Sequence, residues 1–539
     1  MINPRHSWGW PQTTKRIAAR SIAHRPINPL RQNPRFVRSE RAPVTNLGKK
    51  VAVGALWMVA LRFIERGIGF VSTLILARLL VPADFGLVAM AMTVYAFVEI
   101  AGYFGFDLAL LRDKDAPREA YDSAWTLYVL HGVVAFVVVL GLAWPCAHFF
   151  GDERLIPMMG ALGLLALIQG FDNIGTVYFR KEFRFGTEFR MMLYRKLISF
   201  AVTVALALWW RNHWALIGGM AAQRLAGTVL SYTMHPYRPR FDLSHTRALF
   251  GFSGWIVLAR LMEYAKSRGP DFVIGRTLDS AALGLYRLSL ELATLPTSEL
   301  MVPILRAVFP GYAAVAHDRH ALAKAFVRVQ GSIMLVTLPI GLCIVLMSEA
   351  VVQALLGPNW AGAVELIRVF GLYGCISMVQ LTSYAIFEVL GMPQRSVWLR
   401  VIENLMLLPS VVIVLVMGGG LIGVAWCWLG VQVALVPVAA AFIHKLLPLT
   451  AWERMAVLWR PVLGALVMTP VVLWAQQHLT LDGSSLRAFG VLFALGALGV
   501  LTFVATVIVA WWLGGRAPGP ESGLVDLIRA RLPARPAAR

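Results

Sequence analysis

The stretch WMVALRFIERGIGFVSTLILARLLVPADFGL, residues 57–87, recurs as WIVLARLMEYAKSRGPDFVIGRTLDSAALGL, residues 255–285. The two align without gaps at an offset of 198, with nine identities over 31 positions. Leucine and valine coincidences are cheap between apolar helices. The pairs Trp57/Trp255, Arg62/Arg260, Glu65/Glu263, Arg78/Arg276 and Gly86/Gly284 are not. The chain therefore reads as two copies of one unit. Six apolar blocks fit in the offset, an even number, so both copies cross a bilayer in the same sense about an axis along the membrane normal.

Composition supplies the bilayer. Of 539 residues, 58% are apolar and 15% charged, against about 25% charged in an ordinary soluble domain. A soluble enzyme and a disordered protein are both excluded. Fourteen apolar blocks follow from residue 55: 55–79, 85–110, 124–147, 155–178, 191–210, 213–235, 250–276, 281–305, 328–350, 361–390, 397–418, 420–444, 455–476 and 487–513. The expected fold is an all-α polytopic membrane protein of about fourteen transmembrane helices. Residues 51–245 and 246–447 form two parallel six-helix lobes around a central cavity, and 448–513 add a C-terminal helix pair. The remainder, 1–50 and 514–539, reads as basic, disordered cytoplasmic tails.

Charge sets the orientation. The net charge is +21, and residues 1–50 hold eleven Lys/Arg against one acid. With cytoplasmic termini, 37 of the 50 Lys/Arg fall in cytoplasmic segments and 5 in external ones, as positive-inside topology requires. Such charge in the tails and loops of an apolar chain points to anionic membrane lipids and away from nucleic acid. The four cysteines show no metal or disulfide spacing.

A charge at the centre of a membrane helix costs about 2.5–3.5 kcal/mol and must face protein or water. In the first block Arg62, Glu65, Arg66, Gly69 and Thr73 share one helix face. Arg260, Glu263, Tyr264, Ser267 and Asp271 repeat that spacing in the seventh. The repeat also corrects the hydropathy, since Lys266, Arg268 and Asp271 match helical Ile68, Phe70 and Thr73, so the seventh helix continues to Arg276. Eight cations lie within helices: Arg62, Arg66, Arg224, Arg260, Lys266, Arg268, Arg287 and Arg368. All but Arg368, together with Glu65, Glu263 and Asp271, are the candidate cavity residues, and Arg368, Glu99, Glu291 and Glu388 are secondary ones. A cationic cavity suits pyrophosphate, whose oxygens guanidinium binds bidentately. The alternative is that Arg62 with Glu65, Arg260 with Glu263 and Arg287 with Glu291 neutralise one another within a helix and hold the fold. No P-loop, GxGxxG, GxSxG or HExxH occurs. No enzyme activity and no cofactor is expected, and the energy is expected from an ion gradient, the membrane potential or the substrate gradient itself, with H+ or Na+ the candidate coupling ion.

Several stretches resemble the polysaccharide-export flippases of the multidrug/oligosaccharidyl-lipid/polysaccharide superfamily, in particular the colanic-acid and teichuronic-acid exporter branch. They are ARLLVPADFGLVAMAM (77–92), GFDLALLRDKD (105–115), YFRKEFRF (178–185), HWALIGG (213–219), YRPRFDLS (237–244), DFVIGRTLDSAALGLYRLSLELATLP (271–296), VFPGYA (308–313) and GPNWAGAVELIRVFGL (357–372). The resemblance implies a bacterial inner-membrane flippase. It would move undecaprenyl-pyrophosphate-linked oligosaccharide repeat units to the periplasmic leaflet by alternating access, for exopolysaccharide, capsule or O-antigen synthesis. It implies cavity-lining cations at Arg62, Arg66 and Arg260, extended to Lys266 and Arg268. A lipid-linked oligosaccharide is then the substrate, and polysaccharide polymerase and glycosyltransferases are candidate partners. The alternatives are a drug or metabolite antiporter on the same scaffold, for which this cavity is too basic, and a membrane polysaccharide polymerase, for which the external loops are too short.

Overall fold

The computed structural model describes residues 47–101, 105–113, 115–246, 254–479 and 485–515. Most of the two tails lies outside these residues. Fourteen helices of sixteen or more residues follow one another among the described residues. They are α1 (Leu47–Leu79), α2 (Pro82–Ala101), α3 (Arg118–Gly141), α4 (Leu155–Gly170), α5 (Phe185–Trp210), α6 (Trp214–Met234), α7 (Gly254–Thr277), α8 (Ser280–Val315), α9 (Arg319–Leu346), α10 (Ala363–Val389), α11 (Pro393–Val416), α12 (Gly420–His444), α13 (Ala451–His478) and α14 (Ser485–Leu513).

Nine of them are long and apolar enough to cross a membrane: α2, α3, α5 and α9–α14. Ten qualify if the bent pair at α4 counts as one span. The others fall short by charge, hydropathy or length, and in α1 and α7 the shortfall is the polar stripe itself. The protein is a multi-pass helical membrane protein.

Local chemistry explains the boundaries. The Asp279 side chain accepts from the Ala282 N–H at 2.7 Å and starts α8. Asp318 does the same for α9 with His320 and Ala321, at 2.9 and 3.1 Å. Thr450 and Glu453 form a capping box on α13. Between α11 and α12 the run Gly418–Gly420 places Gly418 and Gly420 at φ 80° and 57°, which side chains resist.

Three expected blocks are divided. The block 85–110 ends at Ala101 and resumes as a short Phe106–Arg112 helix. The block 124–147 starts earlier, at Arg118, and gives way at Gly141 to a separate Ala143–Phe150 helix. The block 155–178 stops at Gly170, and the chain bends by 62° before the Val177–Lys181 turn. Asn173 builds that bend. Its Oδ1 accepts from the Gly175 N–H at 2.9 Å, and its Nδ2 donates to the Tyr237 carbonyl at 2.8 Å. By contrast α7 runs to Thr277 through its charges and through Pro270, as the repeat requires.

The repeat is visible in the packing. A Cβ on Gly86 of α2 would lie 1.5 Å from the Ser280 carbonyl oxygen, and one on Gly284 of α8 would lie 1.9 Å from that of Pro82. Gly86 and Gly284 are repeat mates, and so are Pro82 and Ser280. The contact is thus reciprocal, as two-fold-related helix starts demand. Nearby, the end of α1 is tied to the 352–360 segment. Trp360, fully buried, donates from Nε1 to the Ala77 carbonyl at 2.7 Å, and Arg78 donates to the Ala354 carbonyl within a single π turn. The main core runs continuously from Ala77 and Leu87 to Leu435. Helices α13 and α14 pack on α9 through Cys343, Met347, Met468 and Phe503.

Candidate functional site

The α1 stripe does not neutralise itself. Arg62 Nε reaches Glu299 Oε2 of α8 at 3.3 Å. Arg66 Nε lies 3.1 Å from Glu299 Oε1, and its Nη1 lies 3.7 Å from Glu291 Oε1. Two guanidinium groups of the first copy thus meet two carboxylates of the second. The Arg66 and Glu291 side chains are 41% and 49% exposed, so water screens their attraction and the pair is separable. Glu65 lies instead within electrostatic reach of Lys196 and Arg195 of α5.

The corresponding position in the second copy is built differently. Tyr264 of α7 donates from its hydroxyl to the Thr93 carbonyl of α2 at 2.6 Å. Tyr264 is the repeat mate of Arg66, and Thr93 that of Glu291. One interface is therefore a direct hydrogen bond between packed helices. Its mate is an ion pair carried on long, half-exposed side chains.

Next to Tyr264 sits the most buried charge of the stripe. Asp271 is 0% exposed. Its Oδ2 accepts from Thr93 Oγ1 at 2.9 Å and from Arg287 Nε at 2.8 Å, and Arg268 Nη1 lies 3.5 Å away. Arg287 also donates to the Ser267 carbonyl at 2.8 Å. Arg287 thus pairs with Asp271 across helices, and not with Glu291 along its own. Two cations around one anion leave this cluster one positive charge in excess.

The α7 stripe is divided between two neighbours. Lys266 Nζ lies 2.7 Å from Glu403 Oε1 of α11, and Glu263 pairs with Arg400 of the same helix. These two residues face α11, whereas Tyr264 and Asp271 face α2. Arg260 belongs to α7, and its side chain lies outside the described residues. Arg224 of α6 binds Glu99 of α2 at 3.0 Å. Arg368 binds Glu365 at 2.5 Å and the Ser348 hydroxyl at 2.9 Å, and Glu388 is exposed at the end of α10.

Glu291, Glu299, Glu403 and Arg400 are the partners of the stripes. Charge inside an apolar block was their available signal, and Glu291 alone was read from it. Glu299, Arg400 and Glu403 sit near block edges, where a charge reads as a loop.

The motif loops also converge. Tyr178 stacks on Tyr121 with ring centroids 4.6 Å apart and on His235 at 5.6 Å. The Tyr237 hydroxyl donates to Asp122 Oδ1 at 2.7 Å. The Tyr237 N–H donates to His235 Nδ1 at 3.1 Å. Burial and the nearby Arg184 and Arg238 push the imidazole of His235 down to about 4.

Residues 75–365 match the family described as polysaccharide biosynthesis protein. The chain is 24% identical over 395 residues to the lipopolysaccharide biosynthesis protein WzxC of Escherichia coli (strain K12), covering 72% of this chain and 80% of that one. It is 24% identical over 326 residues to the succinoglycan biosynthesis transport protein ExoT of Rhizobium meliloti (strain 1021), covering 60% and 65%. It thus spans just under two thirds of the length of some of the curated relatives it matches. Among solved structures, the lipid II flippase MurJ in an inward closed conformation superimposes with a TM-score of 0.68 at 11% identity, over 85% of this chain and 99% of that one. That likeness concerns the fold.

Proposed function

Since the chain belongs to the polysaccharide biosynthesis protein family, we propose that it carries an undecaprenyl-pyrophosphate-linked oligosaccharide repeat unit from the cytoplasmic to the periplasmic leaflet of a bacterial inner membrane by alternating access. The relatives' names supply the class of substrate, and the polytopic fold supplies the route.

The observation that carries the mechanism is the meeting of Arg62 and Arg66 with Glu299 and Glu291 between the two copies. Guanidinium prefers the doubly charged, bidentate pyrophosphate to a single carboxylate. An entering pyrophosphate displaces Glu291 and Glu299, and it thereby breaks the ion pairs that join α1 to α8. Substrate binding and release of that contact become one event. The Gly86–Gly284 contact holds α2 and α8 together meanwhile. Asp271, with Arg287 and Arg268 around it, is the carboxylate on which H+ or Na+ acts to reset the cycle. Neutralising Asp271 frees Arg287 and loosens the α7–α2 contact. The basic tails meet anionic lipid headgroups on the cytoplasmic side, where glycosyltransferases assemble the repeat unit. A polymerase receives it on the other side.

The test is export in a strain lacking the gene. Complete repeat units should accumulate on the cytoplasmic leaflet. Wild type should restore export, and the double variant Arg62→Ala, Arg66→Ala should not, although it inserts normally. Repeat units found outside the cell membrane but unpolymerised would overturn the proposal in favour of a polymerase.

A further inference from the structure

A cavity of about 300 Å3 lies within the first copy, between α2, α3, α4 and α5 and beside the bend after Gly170. Neither Arg62 nor Arg66 lines it. Its walls carry carboxylates already held by donors. Glu99 accepts from Arg224 at 3.0 Å, Asp172 from Thr228 Oγ1 at 2.5 Å and Glu188 from Arg180 at 2.6 Å. Three wall atoms are left over, the Tyr95 hydroxyl among them. Glu188 Oε2 and His131 Nε2 are buried and have no hydrogen-bond partner, and Glu188 is 3% exposed. Buried polar atoms of this kind are satisfied by whatever enters the space beside them.

The chemistry of the walls narrows the occupant. Carboxylates repel an anion. Arg180, Arg195 and the nearby Arg224 repel a cation. An apolar group would strand all of these charges without solvation. What fits is a neutral ligand that donates and accepts at every edge, because paired acids and guanidiniums offer acceptors and donors side by side. A polyhydroxyl ring meets that description, and the Tyr95 and Tyr128 rings in the wall offer flat faces for its C–H groups. The volume equals that of about ten waters and stands at the lower end of ligand pockets, enough for one sugar residue with its hydroxyls.

The cavity also connects to α1. Arg195 lines it and lies within electrostatic reach of Glu65. The adjacent Lys196 has its Nζ 3.6 Å from where a Cβ of Gly69 would sit. The polar wall therefore continues to the face of α1 that bears Arg62 and Arg66.

We propose that this cavity receives a sugar residue of the transported oligosaccharide, and that His131 and Glu188 recognise its hydroxyls while the pyrophosphate rests at Arg62 and Arg66. The assignment rests on the function proposed above. It makes the first copy the determinant of which repeat unit is carried.

The experiment uses the full chain purified into nanodiscs and two probes. One is the free oligosaccharide released by mild acid from the lipid-linked precursors of the producing bacterium. The other is farnesyl pyrophosphate, which carries no sugar. His131→Ala and Glu188→Gln should each weaken oligosaccharide binding about tenfold, the usual effect of one lost bond to a charged or buried partner. Met192→Trp, which fills the cavity and leaves its charges alone, should abolish it. All three should bind farnesyl pyrophosphate as wild type does, which also shows that they are folded. Equal oligosaccharide binding by wild type, His131→Ala and Met192→Trp would overturn the proposal. So would a wild type that binds farnesyl pyrophosphate and not the oligosaccharide, which would make this a water-filled cavity only. Cavity-dependent oligosaccharide binding without farnesyl pyrophosphate binding would support the sugar site and defeat the pyrophosphate reading alone.

Discussion

Arg66 and Asp271 show how differently two charges of matching stripes are treated. Arg66 is part-exposed and shared between Glu291 and Glu299. Removing a carboxylate there frees a guanidinium for a ligand. Glu299→Gln should therefore tighten farnesyl pyrophosphate binding several-fold in a titration of the purified protein, while Arg62→Ala weakens it. An unchanged affinity in Glu299→Gln would show that this pair does not compete with the ligand. Asp271 is the opposite case, a fully buried anion with Thr93, Arg287 and Arg268 around it. Asp271→Asn leaves the part-buried Arg287 without its counter-charge and should cost about 3 kcal/mol, the lower end for a buried pair, seen as a fall in unfolding temperature. Adding Arg287→Met should recover part of that loss, because one of the two guanidiniums left without a counter-charge is then removed. Both roles come from partners distant in sequence. Helical spacing alone pairs Arg62 with Glu65, and Arg287 with Glu291.

Among elements, the α2–α8 contact is the sharpest. Alanine at residue 86 would place its Cβ 1.5 Å from the Ser280 carbonyl oxygen. Backbone atoms on both sides cannot yield, so the helices must separate. Gly86→Ala and Gly284→Ala should each lose export and open the helix starts to a water-soluble thiol reagent, read at a cysteine placed at Ser280. Full export from either variant would show that the helices part without cost. The loops around His235 respond to acid. The folded state holds this imidazole neutral, its Nδ1 accepting from Tyr237, with its pKa lowered from 6.5 to about 4. A depressed value means that the unfolded chain binds the proton first. Stability is therefore full above pH 6.5 and falls as the pH drops from 6.5 toward 4. His235→Gln should flatten that part of a plot of unfolding temperature against pH.

Across the molecule, the two copies share a plan and differ in its execution. Tyr264 bonds the α2 backbone, whereas its mate Arg66 meets α8 at the Glu291 and Glu299 side chains. A transporter that alternates needs one interface firm while the other is released, and these two provide that asymmetry. Helices α13 and α14 stand outside the repeat and cover Leu335, Leu338, Leu342 and Leu346 of α9. A chain ending at residue 450 would expose that apolar row to detergent or lipid. Its export should persist at a reduced level, and its unfolding temperature in detergent should fall. Complete loss of folding would show that the helix pair belongs to the core.

The succession of long apolar helices and the continuation of α7 through its charges were legible from residues alone. Hydropathy and a repeat of Trp, Arg, Glu and Gly are local or periodic signals. The bend after Gly170 was not legible, because an apolar run conceals a break that depends on the Asn173 side chain meeting Tyr237 and Ser231. Nor was the pairing of the charges. A charge inside an apolar block announces that it has a partner, but Coulomb attraction depends on distance in space. Only the packing of α1 on α8, α7 on α8 and α7 on α11 decided that Arg66 meets Glu291, Asp271 meets Arg287 and Lys266 meets Glu403.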